Sequence, residues 1–126
     1  MLEVLAKNEF DIFYDKSILE DGVDFIGLIN KHGKMGNILI KNEINLKQER
    51  VAMFSMELRL QNSMQRDFDS EFGPVSHTLT EREELKFVSI PVFPYIVLAI
   101  MKKDIDHIPV INKIKTNIEN FKNIDR

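Results

Sequence analysis

The chain has no cysteine. That absence removes a disulfide framework, a cysteine-based zinc site and a thiol nucleophile together, and it fits a reducing compartment. It also lacks a concentration of positive charge. Lys and Arg number 17 against 20 Asp and Glu, the net charge is −3, and both signs are spread along the sequence. A nucleic-acid binder usually carries a basic stripe or patch; the densest cationic spots here, residues 31–34 and 102–103, are too small for one. No run is suited to crossing a membrane. The most apolar stretch, residues 87–101, falls short of the ~20 residues that a spanning helix needs, and Pro91 and Pro94 interrupt it. The opening Met1-Leu2-Glu3-Val4-Leu5-Ala6-Lys7 lacks the basic region and apolar core of a secretory signal. The expectation is a cytoplasmic protein with no nucleic-acid and no membrane partner.

What is present suits one folded unit. The 126 residues are 44% hydrophobic and 29% charged. A chain of that length buries a core without disulfides or metals. There is no internal repeat, low-complexity tract or linker, so residues 1–126 read as a single domain.

Residues 2–19 place Leu2, Leu5, Ile12, Phe13 and Ile18 near helical spacing, and Asp21-Gly22 stops that helix. Residues 23–40 hold two apolar runs around a glycine-containing turn, which predicts a β-hairpin. Gly27, inside the first run, marks a bulge or a close approach by another backbone. A long helix is predicted over 46–72, with Asn45 as N-cap, Gln48 as its capping-box partner and Gly73-Pro74 as the stop. Strands follow at 75–80, 85–90 and 95–101, with residues 81–84 as a charged turn and the prolines at strand ends. Tyr95-Ile96-Val97-Leu98-Ala99-Ile100-Met101 shows no polar alternation, the pattern of a central strand buried on both faces. A last helix starts at Asp104 or Asp106 and tolerates Pro109 in its first turn. Ile108, Ile111, Ile114, Ile118 and Phe121 mark its apolar face. A five-stranded antiparallel sheet with helices on its faces satisfies this order.

The long helix has more apolar surface than one sheet requires. At roughly 100° per residue, Val51, Phe54 and Leu58 lie together, while Met53, Met56, Leu60 and Met64 occupy another arc. Phe68 and Phe72 fall between them, and Ser55, Arg59, Asn62, Arg66 and Asp69 form a narrow polar stripe. Apolar surface on two sides implies packing against two things, its own sheet and a second body such as another copy. Methionine suits an adaptable contact of that kind.

Nothing in the sequence assembles a catalytic site or calls for a cofactor or metal. His32, His77 and His107 lack ligand-spaced partners, and Asp104 and Asp106 are explained as caps. Asp67, Asp69 and Glu71 begin like a calcium loop, but the sixth and twelfth positions are Phe72 and Thr78 rather than Gly and Glu. At the end of a helix those charges oppose the dipole, a hint of pairing with a basic group of a partner. Gly33-Lys34-Met35-Gly36 lacks the spacing of a phosphate loop and reads as a hairpin turn.

The element order, the hairpin and a local run carry a family resemblance. The run is Arg50-Val51-Ala52-Met53-Phe54, then Asp67-Phe68-Asp69-Ser70-Glu71-Phe72-Gly73-Pro74-Val75, then Ser89-Ile90-Pro91-Val92. Over nearly its whole length the chain resembles the roadblock/dynein-light-chain family, in its archaeal, thaumarchaeal-type form. The resemblance implies an α+β fold of the roadblock/profilin-like order α-β-β-α-β-β-β-α. It implies a homodimer, or a heterodimer with a paralogous roadblock protein, in which the long helix and the following strand meet their copies across a two-fold axis. Met53, Met56, Leu60, Met64, Phe68, Val75 and Thr78 would then form the interface. Members of the family bind Ras-like small GTPases or scaffold larger complexes, so a non-enzymatic interaction module is the expectation. A small-molecule-binding sensor is the alternative.

Overall fold

A computed structural model describes the backbone of residues 13–124 and the side chains of residues 13–120. Its elements are α1 (Ser17–Glu20), β1 (Val23–Ile29), β2 (Met35–Ile40), α2 (Gln48–Arg66), α3 (Asp69–Phe72), β3 (Thr78–Glu81), β4 (Leu85–Val92), β5 (Tyr95–Lys102) and α4 (His107–Ile124). Most of the helix expected over residues 2–19 lies outside the described residues; residues 13–16 are not helical, against expectation, and α1 is a separate short helix followed by Asp21-Gly22.

The strands pair antiparallel in the order β2-β1-β5-β4-β3. The unbroken apolar run therefore occupies the middle of the sheet, and residues 95–101 are all buried. Two cores lie on its two faces. On one, Val23, Val88, Val97 and Met101 meet Ile18 of α1 and Val110, Ile111, Ile114 and Ile118 of α4. On the other, Phe25, Ile29, Leu98 and Ile100 meet Leu58 of α2, with Phe54 and Phe87 packed edge to face at 5.3 Å. Each fully buried aliphatic side chain contributes roughly 1.5–3 kcal/mol of burial energy. The first core has seventeen buried hydrophobic residues among those described and the second has six, so the α2 side is thinly covered.

The hairpin forms as the sequence predicts. Its register shifts between Ile26 and Leu28, a bulge at Gly27, and a Cβ on that glycine would come within 3.0 Å of the Met35 side chain. The bulge reading of Gly27 holds; what approaches it closely is the Met35 side chain and not another backbone. β4 continues through Pro91 and Val92, two residues beyond the expected break. It can do so because β3 pairs only with residues 86–89, which leaves Pro91 where no ladder bond is needed on that side. β3 begins at Thr78, three residues after the expected start. Asp106 Oδ1 accepts from the Ile108 N–H at 3.0 Å and caps α4. Ile108 itself is exposed, and Val110 takes the inward position in its place.

The helix over the thin core departs from expectation at both ends. Lys47, not Asn45, stands at the N-cap of α2 and gives no side-chain cap. The Leu46 N–H bonds to the Ile44 carbonyl at 2.7 Å, a tight turn that leaves Asn45 too far upstream to reach the first helical turn. At the other end the helix breaks at residues 67–68, and α3 starts afresh before Gly73-Pro74. Asp69 and Glu71 thus sit in the first turn of a short helix, where negative charge is favourable, and not at the end of a long one. The expected cost is confined to Asp67, the C-cap of α2.

Candidate functional site

α2 places its polar stripe inward. Ser55, Arg59 and Asn62 are buried with Leu58 against the sheet, while Met53, Met56, Leu60 and Met64 point out. The outward set falls within roughly 80° of arc on the opposite side of the helix. The sequence placed both apolar arcs, and the resemblance assigned the Met53–Met64 arc to an interface; the inward turn of Ser55, Arg59 and Asn62 beside Leu58 was not expected.

Three contacts explain the inversion. Arg59 Nη1 donates to the Pro94 carbonyl at 2.6 Å and Nη2 to Asn62 Oδ1 at 3.2 Å, which pins α2 to the turn between β4 and β5. Arg66 lies 4.2 Å from the centroid of the Phe93 ring, a cation–π contact on the same turn. Ser55, small and completely buried, lets the helix approach the sheet closely. Burial, and then the nearby charge of Arg66, lower the pKa of the Arg59 guanidinium from its ordinary value. It remains the charged partner of two neutral acceptors.

The outer face carries an exposed apolar line from Met53 to Met64, flanked by Glu49 and Glu57. Met53 is 60% exposed, Leu60 57% and Met64 68%, with Met56 also exposed. Beyond the helix break the line continues through Phe68 and Phe72, whose rings stack at 6.0 Å. Phe72 is 84% exposed, a position for a large aromatic side chain that water alone does not favour. The hairpin turn leans on this surface. Gly33 has φ +81° and stands so close to Met56 that a Cβ would come within 2.8 Å of its methyl group.

β3 forms the end of the sheet beside the last turns of α2, to which Gln65 ties it through a 3.3 Å hydrogen bond from Nε2 to Thr78 Oγ1. Its outer edge pairs with no other strand among the described residues. Of the residues the resemblance assigns to an interface, Met53, Met56, Leu60, Met64 and Phe68 are exposed on this surface, Thr78 is half-buried at its bond to Gln65, and Val75 is half-buried in a separate cleft with Arg66, Phe93 and Lys115. Phe72 belongs with them and was not assigned; its spacing of four from Phe68 was the available signal.

A second apolar feature had no signature in the sequence. Between β2 and the N-terminal half of α2 lies a cleft of about 410 Å³, where Met35, Ile38, Ile40, Leu46, Val51 and Phe54 gather around the thin core. Glu43 and Gln48 are its polar members.

The remaining chemical candidates are scattered. His32 sits in the hairpin turn, where its N–H bonds to Asn30 Oδ1 at 2.8 Å. His77 and His107 are each met by a lysine. Among the described residues no three His, Cys, Asp or Glu side chains gather into a metal-holding group, and no helix is long and apolar enough to cross a membrane.

No protein-family model and no curated protein matches the sequence. Solved structures do match the fold. The roadblock/LC7 domain from Streptomyces avermitilis superposes with a TM-score of 0.62 at 9% identity, covering 82% of this chain and 85% of that one. MglB of Myxococcus xanthus gives a TM-score of 0.71 at 10% identity, covering 94% and 88%. An MglB structure with a tetrameric arrangement gives 0.64 at 6% identity, covering 91% and 82%. At these identities the likeness is one of fold: a five-stranded antiparallel sheet with helices on both faces, as in roadblock/LC7 domains.

Proposed function

We propose that the chain is a non-enzymatic, dimeric protein-interaction module of the archaeal roadblock-like type, cytoplasmic, which scaffolds or regulates a Ras-like small GTPase. The observation that carries this reading is the continuous exposed line Met53, Met56, Leu60, Met64, Phe68 and Phe72, beside an open strand edge at β3. An apolar helix face and an unpaired strand edge in one place are what a self-complementary interface requires. The roadblock/LC7-type fold, known also in a tetrameric arrangement, supports it. A second copy brought up by a two-fold rotation would cover both features, and a paralogous chain would serve as well.

Light scattering on a sizing column across a dilution series tests the dimer. A mass near twice 14.7 kDa is expected. Leu60→Asp would place a charge in a desolvated contact and should weaken association by about 3 kcal/mol, on the order of a hundredfold. A stable monomer, or a dimer indifferent to Leu60→Asp, sinks the assignment of this face. The partner is tested by calorimetry of the purified dimer with a Ras-like GTPase in its GDP and GTP-analogue states. No heat in either state removes the GTPase from the proposal.

A second reading rests on the 410 Å³ cleft, which has the size and mostly apolar lining of a small-molecule site. A sensor that binds an apolar ligand there would gain thermal stability from it. A ligand screen in which no compound raises the melting temperature argues against the sensor.

A further inference from the structure

β2 sends alternate side chains to opposite faces of the sheet. Leu39 packs against the core on the α4 side, while Ile38 and Ile40 stand on the α2 side and are 41% and 51% exposed. They stay uncovered because the side-chain ties of α2 run to the other half of the sheet. Phe54 packs on Phe87 of β4, Arg59 reaches the turn between β4 and β5, and Gln65 reaches β3. The strip left open is the 410 Å³ cleft, a trough with Phe25, Leu98 and Ile100 as its buried floor and β2 and the first turns of α2 as its walls. Residues 43–48, the connection from β2 to α2, close one end.

The shape of the trough limits what enters it. It runs about 9 Å along α2 from Gln48 to Phe54 and about 16 Å along β2 from Met35 to Ile40, at the rises of a helix and a strand. With its volume, that length leaves a cross-section the width of an alkyl chain or a single ring. A partner helix, about 10–12 Å across with its side chains, is too wide. Strand addition to the free edge of β2 is opposed as well. The bulge opposite Gly27 puts its extra residue on β2, where Asn37 has φ +51° and disturbs the edge.

The polar end sets the head group. No Lys or Arg lines the trough, although the chain has 17 of them. Its polar groups are the Glu43 carboxylate and the Gln48 amide. Glu43 makes no ion pair with a described residue. The cations nearest in sequence are turned elsewhere: Lys41 Nζ donates to the Leu19 carbonyl at 3.4 Å, and Arg50 Nη1 to Met53 Sδ at 3.5 Å. Lys47, at the N-cap of α2, is not part of the lining. The helix N-terminus brings about half a positive charge to this end, which the full charge of a carboxylate outweighs. An anionic head would meet Glu43 in repulsion. An ammonium or hydroxyl head would donate to it.

We propose that the trough holds an elongated apolar molecule whose head group donates hydrogen bonds, an amine or an alcohol, with Glu43 as the acceptor that selects it. The proposal rests on the small-molecule reading of this cleft and adds the chemical class of the ligand. The apolar body covers Ile38 and Ile40 and completes the thin core from the β2 side.

The test is NMR of the chain labelled at its Met, Ile and Val methyl groups, titrated at constant pH with octylamine, 1-octanol and octanoate, each below its micelle concentration. Saturable shifts at Met35, Ile38, Ile40 and Val51, with Met53, Met64 and Ile108 unmoved, are expected for octylamine and octanol. Octanoate should bind about tenfold more weakly. Glu43→Lys, at an exposed position, should invert the order of octanoate and octylamine. Ile40→Asp, at the exposed rim, should weaken octanol binding by about tenfold. Equal affinity for the three heads, or an order that Glu43→Lys leaves unchanged, overturns the assignment of the head group and leaves the cleft an unselective apolar site. Absence of saturable shifts at the four trough residues with all three ligands, or shifts at Met53 and Met64 in their place, overturns the small-molecule reading itself.

Discussion

Arg59 is nearly buried, yet both of its partners, the Pro94 carbonyl and the Asn62 amide oxygen, are neutral. Its worth lies in geometry: one planar fork joins a helix to the turn between two strands. Arg59→Ala should cost about 2–3 kcal/mol of unfolding free energy in a denaturant titration, because a carbonyl and an amide lose a charged donor. Arg59→Lys should recover less than half of that, since one ammonium does not span both acceptors. Ser55 is the opposite case. Its Oγ is buried without a hydrogen-bond partner. Ser55→Ala removes an unsatisfied hydroxyl and improves helix propensity, so stability should rise by about 1 kcal/mol; a loss of that size would mean the hydroxyl has a partner. His77 adds a pH dependence. Burial, then the nearness of Lys115 and His107, hold its folded pKa below the ordinary value, so between the two pKa values the unfolded chain binds more protons. The stability due to neutral His77 is complete above the unfolded pKa of about 6.5 and is lost as pH falls from there toward the folded pKa. In His77→Gln the unfolding free energy should decline less over that window.

α2 shows how far a sequence can be read at the scale of an element. Periodicity fixed two arcs on the helix, and both exist. The inward turn of Ser55, Arg59 and Asn62 was decided by contacts with no local signature: the Pro94 carbonyl that Arg59 reaches lies 35 residues away in sequence. The break at residues 67–68 was equally hidden, since no Gly or Pro marks it. β5, the hairpin and α4 were legible because their own residues settle them, through an unbroken apolar run, a glycine turn between apolar runs, and isoleucines at steps of three and four. The candidate surface was legible as a list of residues, and its extension to Phe72 required the structure. A paired substitution tests the orientation. Leu58→Asp, facing the thin core, should abolish cooperative unfolding, since an unpaired charge there costs several kcal/mol. Leu60→Asp, two positions on and facing out, should keep the far-UV circular dichroism of the folded chain. Equal damage from both would mean that α2 does not present the face described.

At the scale of the whole molecule the two cores are unequal, with the α1–α4 side densely filled and the α2 side thin. A fold of this kind leaves part of its stabilisation to whatever covers α2. If a second copy does so, folding and association are linked, because the partner binds the native chain and not the unfolded one. The melting temperature of the wild type should then rise with protein concentration. For a chain of this length a change of 1 kcal/mol moves the midpoint by roughly 3–5 °C. While the concentration stays well above the dissociation constant, each tenfold dilution removes about 1.4 kcal/mol of coupling, a shift that calorimetry resolves readily. Leu60→Asp should melt at one temperature regardless of concentration, close to the value that the wild type approaches at high dilution. Arg59→Lys, which weakens the fold inside the monomer, should lower the midpoint and keep the slope. A wild-type melting temperature that stays flat across a thousandfold range of concentration, at a mass of one chain, would mean that the thin core stands without a partner and that the exposed line on α2 awaits a different protein.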